Sequence, residues 1–314
     1  MAKAYPETLL DFEHWFRTEE ACRAYVAKLR WSKGFMCPRC GHRQAWETGR
    51  GLRHCAACHH DVSATAGTIF HGSHLPLRLW FRMMWMVTNQ KSGVSALGLQ
   101  RALGLSGYLT AWACLQKLRR AMVRPERELL SGKVEVDETI LGGVQRGGGK
   151  LYFGKRKFLV GIDAEIRGEG IGRIRLEHIR DTSAKTLEGF VKRTIAPGST
   201  VVTDGRWSYG GLEDMGYVFE PIVLTGKGKM APIIFLPRVH RIASLLKRWL
   251  LGIHQGRISG KHLGYYLDEY TFRFNRRLSA HRGMLFYRLL QQAVAIPPTT
   301  HKSLFGQTYA FSVE

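Results

Sequence analysis

The chain has 314 residues, and 45% of them are hydrophobic, which is enough to build the cores of two or three folded units. Its 47 Lys and Arg residues exceed its 25 Asp and Glu residues, so the formal charge is +22 and the partner is expected to be a polyanion, nucleic acid first. No run approaches the ~20 apolar residues of a membrane span, and the opening MAKAYPETLLDFEHWF lacks the order of a secretory signal. We therefore expect a cytoplasmic protein that has no membrane partner.

The first elements along the chain are a helix and a metal-binding segment. Residues 17–31 carry apolar side chains at helical spacing. Two CxxC pairs follow, separated by fourteen residues, in CPRCGHRQAWETGRGLRHCAAC. In a reducing compartment this spacing indicates a metal site and not disulfides or redox dithiols. It predicts a closed tetrahedral zinc site on a short ribbon of hairpins, with the ligands Cys37, Cys40, Cys55 and Cys58. The remaining cysteines, Cys22 and Cys114, lie in apolar helical stretches and are expected in the core.

Helices are predicted next. PLRLWFRMMWMVTN has a Met and aromatic stripe typical of a core helix. SALGLQRALGL and YLTAWACLQKLRRAMV are two further helices, joined at a GLSG break, and this arrangement resembles a helix-turn-helix. Any helical hairpin has the same pattern. The basic side chains of the second helix, Lys117, Arg119 and Arg120, favour DNA binding.

From about residue 133 the pattern changes to strands. KVEVDETIL, KFLVGIDAE, GRIRLEHI and STVVTDG are strand-like, and AKTLEGFVKRTI is a helix, which together predict a mixed α/β sheet. The intervening GGVQRGGGKLYFGKRK nearly matches a phosphate loop, but Arg156 stands where Ser or Thr would hold magnesium and no helix follows. We expect instead a flexible basic loop in which Lys155 and Arg156 contact phosphates.

Two aspartates stand out in these strands. Residues two apart share one face of a strand, so Asp137 points the same way as Glu135 and Thr139. Asp204 ends the later strand VVTDG. If the two strands are neighbours, the carboxylates of Asp137 and Asp204 converge at one edge of the sheet, where a hard cation such as magnesium would stabilise them.

These motifs, in this order, resemble insertion-sequence transposases of the DDE superfamily that carry an N-terminal zinc ribbon. The matching stretches are CPRCG with the second CxxC, SATAGTIFH, VEVDET, VVTDG, and VHRIASLLKRWLLGIHQG through YLDEYTFRFNRR, within about residues 10–290. The resemblance implies a ribonuclease-H-like catalytic core, with Asp137 on its first strand and Asp204 at the end of its fourth, as the metal-binding pair. Glu135 is expected to support the metal site, and Glu138 is expected to face solvent.

The resemblance also sets the domain boundaries. We expect an N-terminal helical segment at 1–33, a zinc ribbon at 34–66, a helix-turn-helix-like region at 67–128, the catalytic domain at 129–290 and a C-terminal tail at 291–314.

The third catalytic position of the family lies on a helix, seven residues before a lysine, and is most often Glu. Counting back from Lys247 gives His240, so this chain departs from the acidic pattern. His240 and Lys247 share a helix face with Ser244, which supports a functional face, although a partly buried structural histidine would give the same pattern. The catalytic metal is then expected to be magnesium or manganese, held by Asp137, Asp204 and His240.

The activity implied is that of a DNA transposase, which cuts the ends of its element and joins them to target DNA. We expect it to act as a homo-oligomer on double-stranded DNA. Further phosphate contacts are expected from the basic side chains of the last two motifs, Lys247, Arg248, Arg273, Arg276 and Arg277. Three alternatives remain: a sequence-specific DNA-binding regulator, a nuclease of the same fold that cuts without joining, and a catalytically decayed relative.

Overall fold

The computed structural model describes residues 4–124, 126–142, 158–222, 234–255, 258–300 and 304. Its helices are α1 Leu9–Trp15, α2 Glu19–Arg30, α3 Leu77–Asn89, α4 Ala96–Leu103, α5 Tyr108–Ala121, α6 Ala184–Thr194, α7 Pro237–His254, α8 Gly260–Asn275 and α9 Arg282–Ala295. Its strands are β1 Ala45–Glu47, β2 Arg53–Cys55, β3 Asp61–Val62, β4 Lys133–Leu141, β5 Phe158–Arg167, β6 Gly170–Ile179, β7 Thr200–Thr203 and β8 Val218–Pro221.

These elements form two compact units. The first comprises the described residues of Met1–Arg124 together with those of Ser279–Gly306, and the second contains the described residues of Pro125–Leu278. Helix α9 therefore belongs to the first unit, although our sequence boundary assigned most of it to the catalytic domain. The physical reason is its aromatic contacts, since Phe286 packs edge-on against Phe12 and Phe81 at centroid distances of 5.4 and 5.6 Å.

The first unit contains a small three-stranded antiparallel sheet of order β1-β2-β3. Its helices pack through large side chains, as the Met and aromatic stripe of α3 predicts, because Trp80, Met83 and Met84 are buried. Helices α4 and α5 form the expected pair, and the break between them is a left-handed turn at Gly104, whose φ of 62° suits a residue without a Cβ. Cys22 and Cys114 are buried, as expected of core cysteines.

The second unit is built on a five-stranded mixed sheet of order β6-β5-β4-β7-β8. Strands β4, β5 and β6 are antiparallel neighbours, whereas β7 runs parallel to β4 and β8 runs parallel to β7. The sheet with its flanking helices is the ribonuclease-H-like core that the sequence predicts. Strand β8 was not predicted, because its side chains are mostly exposed and it lies at the sheet edge.

Helices cover both faces of this sheet. On one face, Val134 and Val136 of β4 pack against α6, and on the other, Ile162 of β5 packs against α7 and α8. Gly161 allows the close approach of α6, because a Cβ at this position would lie 2.6 Å from the Phe190 ring. The second face also carries Glu135 and Asp137 of β4, and α7 lies over these two acidic side chains.

Candidate metal centres and DNA-contacting residues

The four cysteines of the CxxC pairs converge in the first unit. Within the part of the chain that the structure describes, they are the one group of three or more His, Cys, Asp or Glu residues whose ligand atoms all lie within 4.8 Å of one another. The sulfur atoms of Cys37 and Cys58 are 3.6 Å apart, and those of Cys40 and Cys55 are 3.5 Å apart. Such a set of soft donors from two hairpin turns could hold a zinc ion.

Backbone amides stabilise the thiolate form of Cys55 in this cluster. The amide of Cys58, with a smaller contribution from that of Ala57, lowers the pKa of Cys55 to about 6. Since the thiolate is the form that binds metal, these amides favour the ligand state of Cys55 near neutral pH.

Strand pairing brings Asp137 and Asp204 close together on the adjacent inner strands β4 and β7, beside the end of β7. Glu135 of β4 is paired with Val202 of β7, so continuing this parallel register by two residues sets Asp137 opposite Asp204. The chain leaves β7 through Gly205, whose φ of 72° lies in the left-handed region. The neighbouring strands that the sequence argument required are therefore present, and Asp137 lies on the first core strand and Asp204 just after the fourth.

The carboxyl of Asp137 lies in a site that disfavours its ionised form. Burial, and then the neighbouring carboxylates of Glu138 and Asp204, raise the pKa of Asp137 to about 7. The amide of Glu138 opposes this shift by donating to Asp137 Oδ1 at 2.8 Å. A cation at this point would remove the penalty, because it would neutralise the converging acids.

Helix α7 delivers His240 to Asp137. The Nε2 atom of His240 lies 3.4 Å from Asp137 Oδ2, and burial lowers the pKa of His240, which favours the neutral imidazole. The helix is fixed there by Glu135, which is 2% exposed and accepts hydrogen bonds from the amides of Arg238 and Val239 and from Arg238 Nη1, at 2.8, 3.1 and 2.9 Å. Glu135 thus supports the site through α7.

The turn that follows β7 adds residues that the sequence argument missed. Arg206 donates from Nε to Asp204 Oδ2 at 2.9 Å and also binds Glu138. Glu138 accepts a second hydrogen bond from the buried Tyr209 hydroxyl at 3.1 Å. The expectation that Glu138 faces solvent is wrong, since its side chain is only 4% exposed. Its partners lie about seventy positions along the chain, and the RWSY motif next to VVTDG was the only available signal.

The side chains of Asp137, Asp204 and His240 are of a type that fits a divalent cation. Two carboxylates from adjacent strands and one imidazole are donors of the appropriate type. None of the described residues forms a hydrogen bond with the buried Nε2 atom of His240, so this nitrogen can serve as a ligand. In the described ranges, however, Asp137, Asp204 and His240 do not form a group with all ligand atoms within 4.8 Å, and Asp204 is instead bound to Arg206.

The basic residues expected to contact DNA fall into four groups, the last of which is the arginines at the end of α8. Arg120, Lys247 and Arg248 are exposed, and Lys117 is partly exposed. Arg119 is only 1% exposed, so its assignment as a DNA contact is wrong, because the α5 face that carries it is buried. Lys155 and Arg156 lie outside the described residues.

The arginines at the end of α8 are partly exposed and make contacts within the second unit, so their assignment as phosphate ligands stays a prediction. Arg273 is 13% exposed and donates to the buried Glu269 at 2.8 Å. Arg276 lies over the Phe272 ring and Arg277 over the Phe274 ring, each at 4.1 Å from the centroid. Arg277 also donates to the backbone carbonyls of Ile171 and Gly172. Of the three arginines, Arg277 therefore links the end of α8 to β6.

Comparison with known proteins agrees with this architecture. Residues 129–275 match the model of the ISXO2-like transposase domain, and residues 17–61 match the transposase zinc-ribbon domain. The chain is 25% identical over 283 residues to an uncharacterized protein in the transposable element ISH50 of Halobacterium salinarum, covering 82% of this chain and 91% of that protein. No solved structure matches the chain significantly. Among its described helices, none has the length and apolar character needed to span a bilayer. The chain therefore carries a region that matches a transposase zinc ribbon, followed by a region that matches an ISXO2-like transposase domain.

Proposed function

We propose that this protein cuts DNA at the ends of its insertion sequence and joins those ends to target DNA at a divalent-metal site formed by Asp137, Asp204 and His240. The proposal rests on the position of α7 beside the adjacent strands β4 and β7, where His240 Nε2 lies 3.4 Å from Asp137 Oδ2. Carboxylates and an imidazole concentrated in a strongly basic chain suit phosphodiester chemistry, because the substrate is itself anionic.

The chain's own residues have separable tasks in this reaction. Magnesium or manganese, when bound, would polarise the scissile phosphate and activate the attacking oxygen. Asp137 and Asp204 would supply the anionic ligands, and His240 would add a neutral nitrogen whose lowered pKa keeps it unprotonated near neutral pH. Water would attack first to free a 3′-hydroxyl, which would then attack the target phosphodiester in the same site. In the first step water forms a bond to phosphorus while the P–O3′ bond breaks, and in the second step the freed 3′-oxygen replaces the 3′-oxygen of the target at phosphorus. The joining step exchanges one phosphodiester for another, so nucleotide hydrolysis is not needed.

Binding would rest on other residues. Lys247 and Arg248 are exposed on α7, the helix that carries His240, and would contact phosphates beside the site. Zinc bound by the four cysteines would hold the ribbon, which together with α4 and α5 would recognise the element ends. Lys117 and Arg120 of α5 would contribute phosphate contacts, so affinity should fall steeply with salt. The assembly on DNA would contain more than one copy, because two ends must be joined.

The test is a cleavage and strand-transfer assay with purified protein and a labelled DNA fragment that carries the element end. We expect nicking that depends on magnesium or manganese, followed by transfer of the freed 3′-end into a plasmid. Nicking without transfer would favour a nuclease of the same fold. Specific end binding without nicking in either metal would favour the DNA-binding regulator or the decayed relative.

A further inference from the structure

Arg206, in the turn that follows β7, binds two of the acidic side chains near the proposed metal site. Its Nε donates to Asp204 Oδ2 at 2.9 Å, and its backbone amide donates to Asp204 Oδ1 at 3.3 Å. Its Nη1 binds Glu138 Oε1. One guanidinium therefore links the ends of β4 and β7, and both carboxylate oxygens of the second proposed metal ligand are engaged by the same residue.

The charges around Arg206 explain why it is there. Three carboxylates lie close together on β4 and at the end of β7. They belong to Asp137, Glu138 and Asp204, whose side chains are 15%, 4% and 16% exposed. Like charges so close and so poorly hydrated need a cation nearby. Arg206 supplies one and is itself 50% exposed, so its guanidinium has open space on the solvent side into which it can move.

The two anchors of Arg206 differ. Glu138 is nearly buried and is also held by Tyr209, whose hydroxyl donates to it at 3.1 Å, so this carboxylate is fixed. Asp204 follows the last residue of β7 and precedes the left-handed Gly205, and among the described residues its side-chain hydrogen bond and ion pair both come from Arg206. The Asp204 contact is the one that can be exchanged without disturbing the core.

We infer that Arg206 is the counter-cation of these carboxylates and competes with the divalent cation for Asp204. Metal binding replaces the Arg206 contact at Asp204, while the contact with Glu138 is kept. The inference rests on the proposed metal site and adds that this chain weakens its own affinity for metal until Arg206 is displaced. A brace that holds Asp204 in the ligand geometry would have the opposite effect, since its loss would weaken metal binding.

The test measures Mn²⁺ affinity of the zinc-loaded protein without DNA, by electron paramagnetic resonance of free Mn²⁺. Arg206→Gln is expected to bind Mn²⁺ at least ten-fold more tightly than wild type. Because this change leaves Glu138 without its cation, Arg206→Gln/Glu138→Gln is the second variant. It removes one positive and one negative group together, so tighter binding in it reports the release of Asp204 and not a change of net charge. Arg180→Gln is the matched control, since Arg180 forms an exposed pair with Asp181 at 3.0 Å in the same unit.

The outcomes separate the two proposals. Tighter binding in both Arg206 variants, and unchanged binding in the control, supports the inference. Equal or weaker binding in the double variant overturns it, while Mn²⁺ binding that is lost in Asp137→Asn would still uphold the metal site. If neither wild type nor the Arg206 variants bind Mn²⁺ in a manner that depends on Asp137, both the inference and the proposed metal site fail.

Discussion

Replacing Glu135 by Ala should destabilise the second unit by about 3–5 kcal/mol, as expected when one partner of a buried ion pair is removed. The side chain is 2% exposed and receives three hydrogen bonds from the first turn of α7, one of them from Arg238 Nη1. Hydrogen bonds to charged groups contribute about 1.5–3 kcal/mol each. Part of this gross sum is offset because the freed amides can bind water at the helix start, which brings the expected loss into the stated range.

The assay is hydrogen exchange measured for individual peptides at increasing urea concentration, because it reports on the two units of the chain separately. Protection of α7 and β4 should fall in Glu135→Ala, whereas protection of α3 in the first unit should be retained. The control is Glu220→Ala, since Glu220 pairs with Lys133 at 2.5 Å but is 45% exposed, and such surface pairs contribute about 0–1 kcal/mol. If Glu135→Ala costs no more than Glu220→Ala, Glu135 does not anchor α7 and the argument for His240 loses its support.

Three further predictions concern the metal ligands. Cys37→Ser or Cys55→Ser should each lose the one zinc per chain, together with exchange protection of β1 to β3, and a zinc-free variant with full protection would contradict this. His240→Ala should lower strand cleavage. His240→Glu should increase cleavage with magnesium, because the neutral imidazole of wild type suits manganese better than magnesium. Equal rates for wild type and His240→Ala would mean that His240 only fills space. Folding raises the pKa of Asp137 from 3.8 to about 7, so the protein without added divalent cation should lose stability as pH rises from about 4 to 7, by roughly 4 kcal/mol at most. Asp137→Asn should lack this loss in urea unfolding, and equal slopes in the two proteins would contradict the burial argument.

Much of the site's framework was predictable from the sequence. The alternation in KVEVDETIL correctly assigned Glu135 and Asp137 to one face of a strand, because a half-buried strand repeats every two residues. The spacing of the four cysteines defined their cluster, since each CxxC forms a single turn. In both cases local geometry determines the outcome.

The errors concern charged side chains whose environment depends on distant partners. Arg119 is buried although it stands between Lys117 and Arg120 in a basic stretch of α5. Glu138 is enclosed by Arg206 and Tyr209, which lie 68 and 71 residues away. Charge counting treats such residues as surface groups, because burial of a paired ion leaves no local pattern in the sequence.

The most direct test compares strand cleavage by wild type, Asp137→Ala and Asp204→Ala on a DNA fragment that carries the element end, with end binding measured in parallel. The account predicts that wild type nicks the end only with magnesium or manganese. Both variants should bind the fragment with similar affinity but give no product, because binding rests on basic groups and chemistry on the metal ligands. Metal-dependent nicking by either variant at the wild-type rate would show that the catalytic site lies elsewhere in the chain.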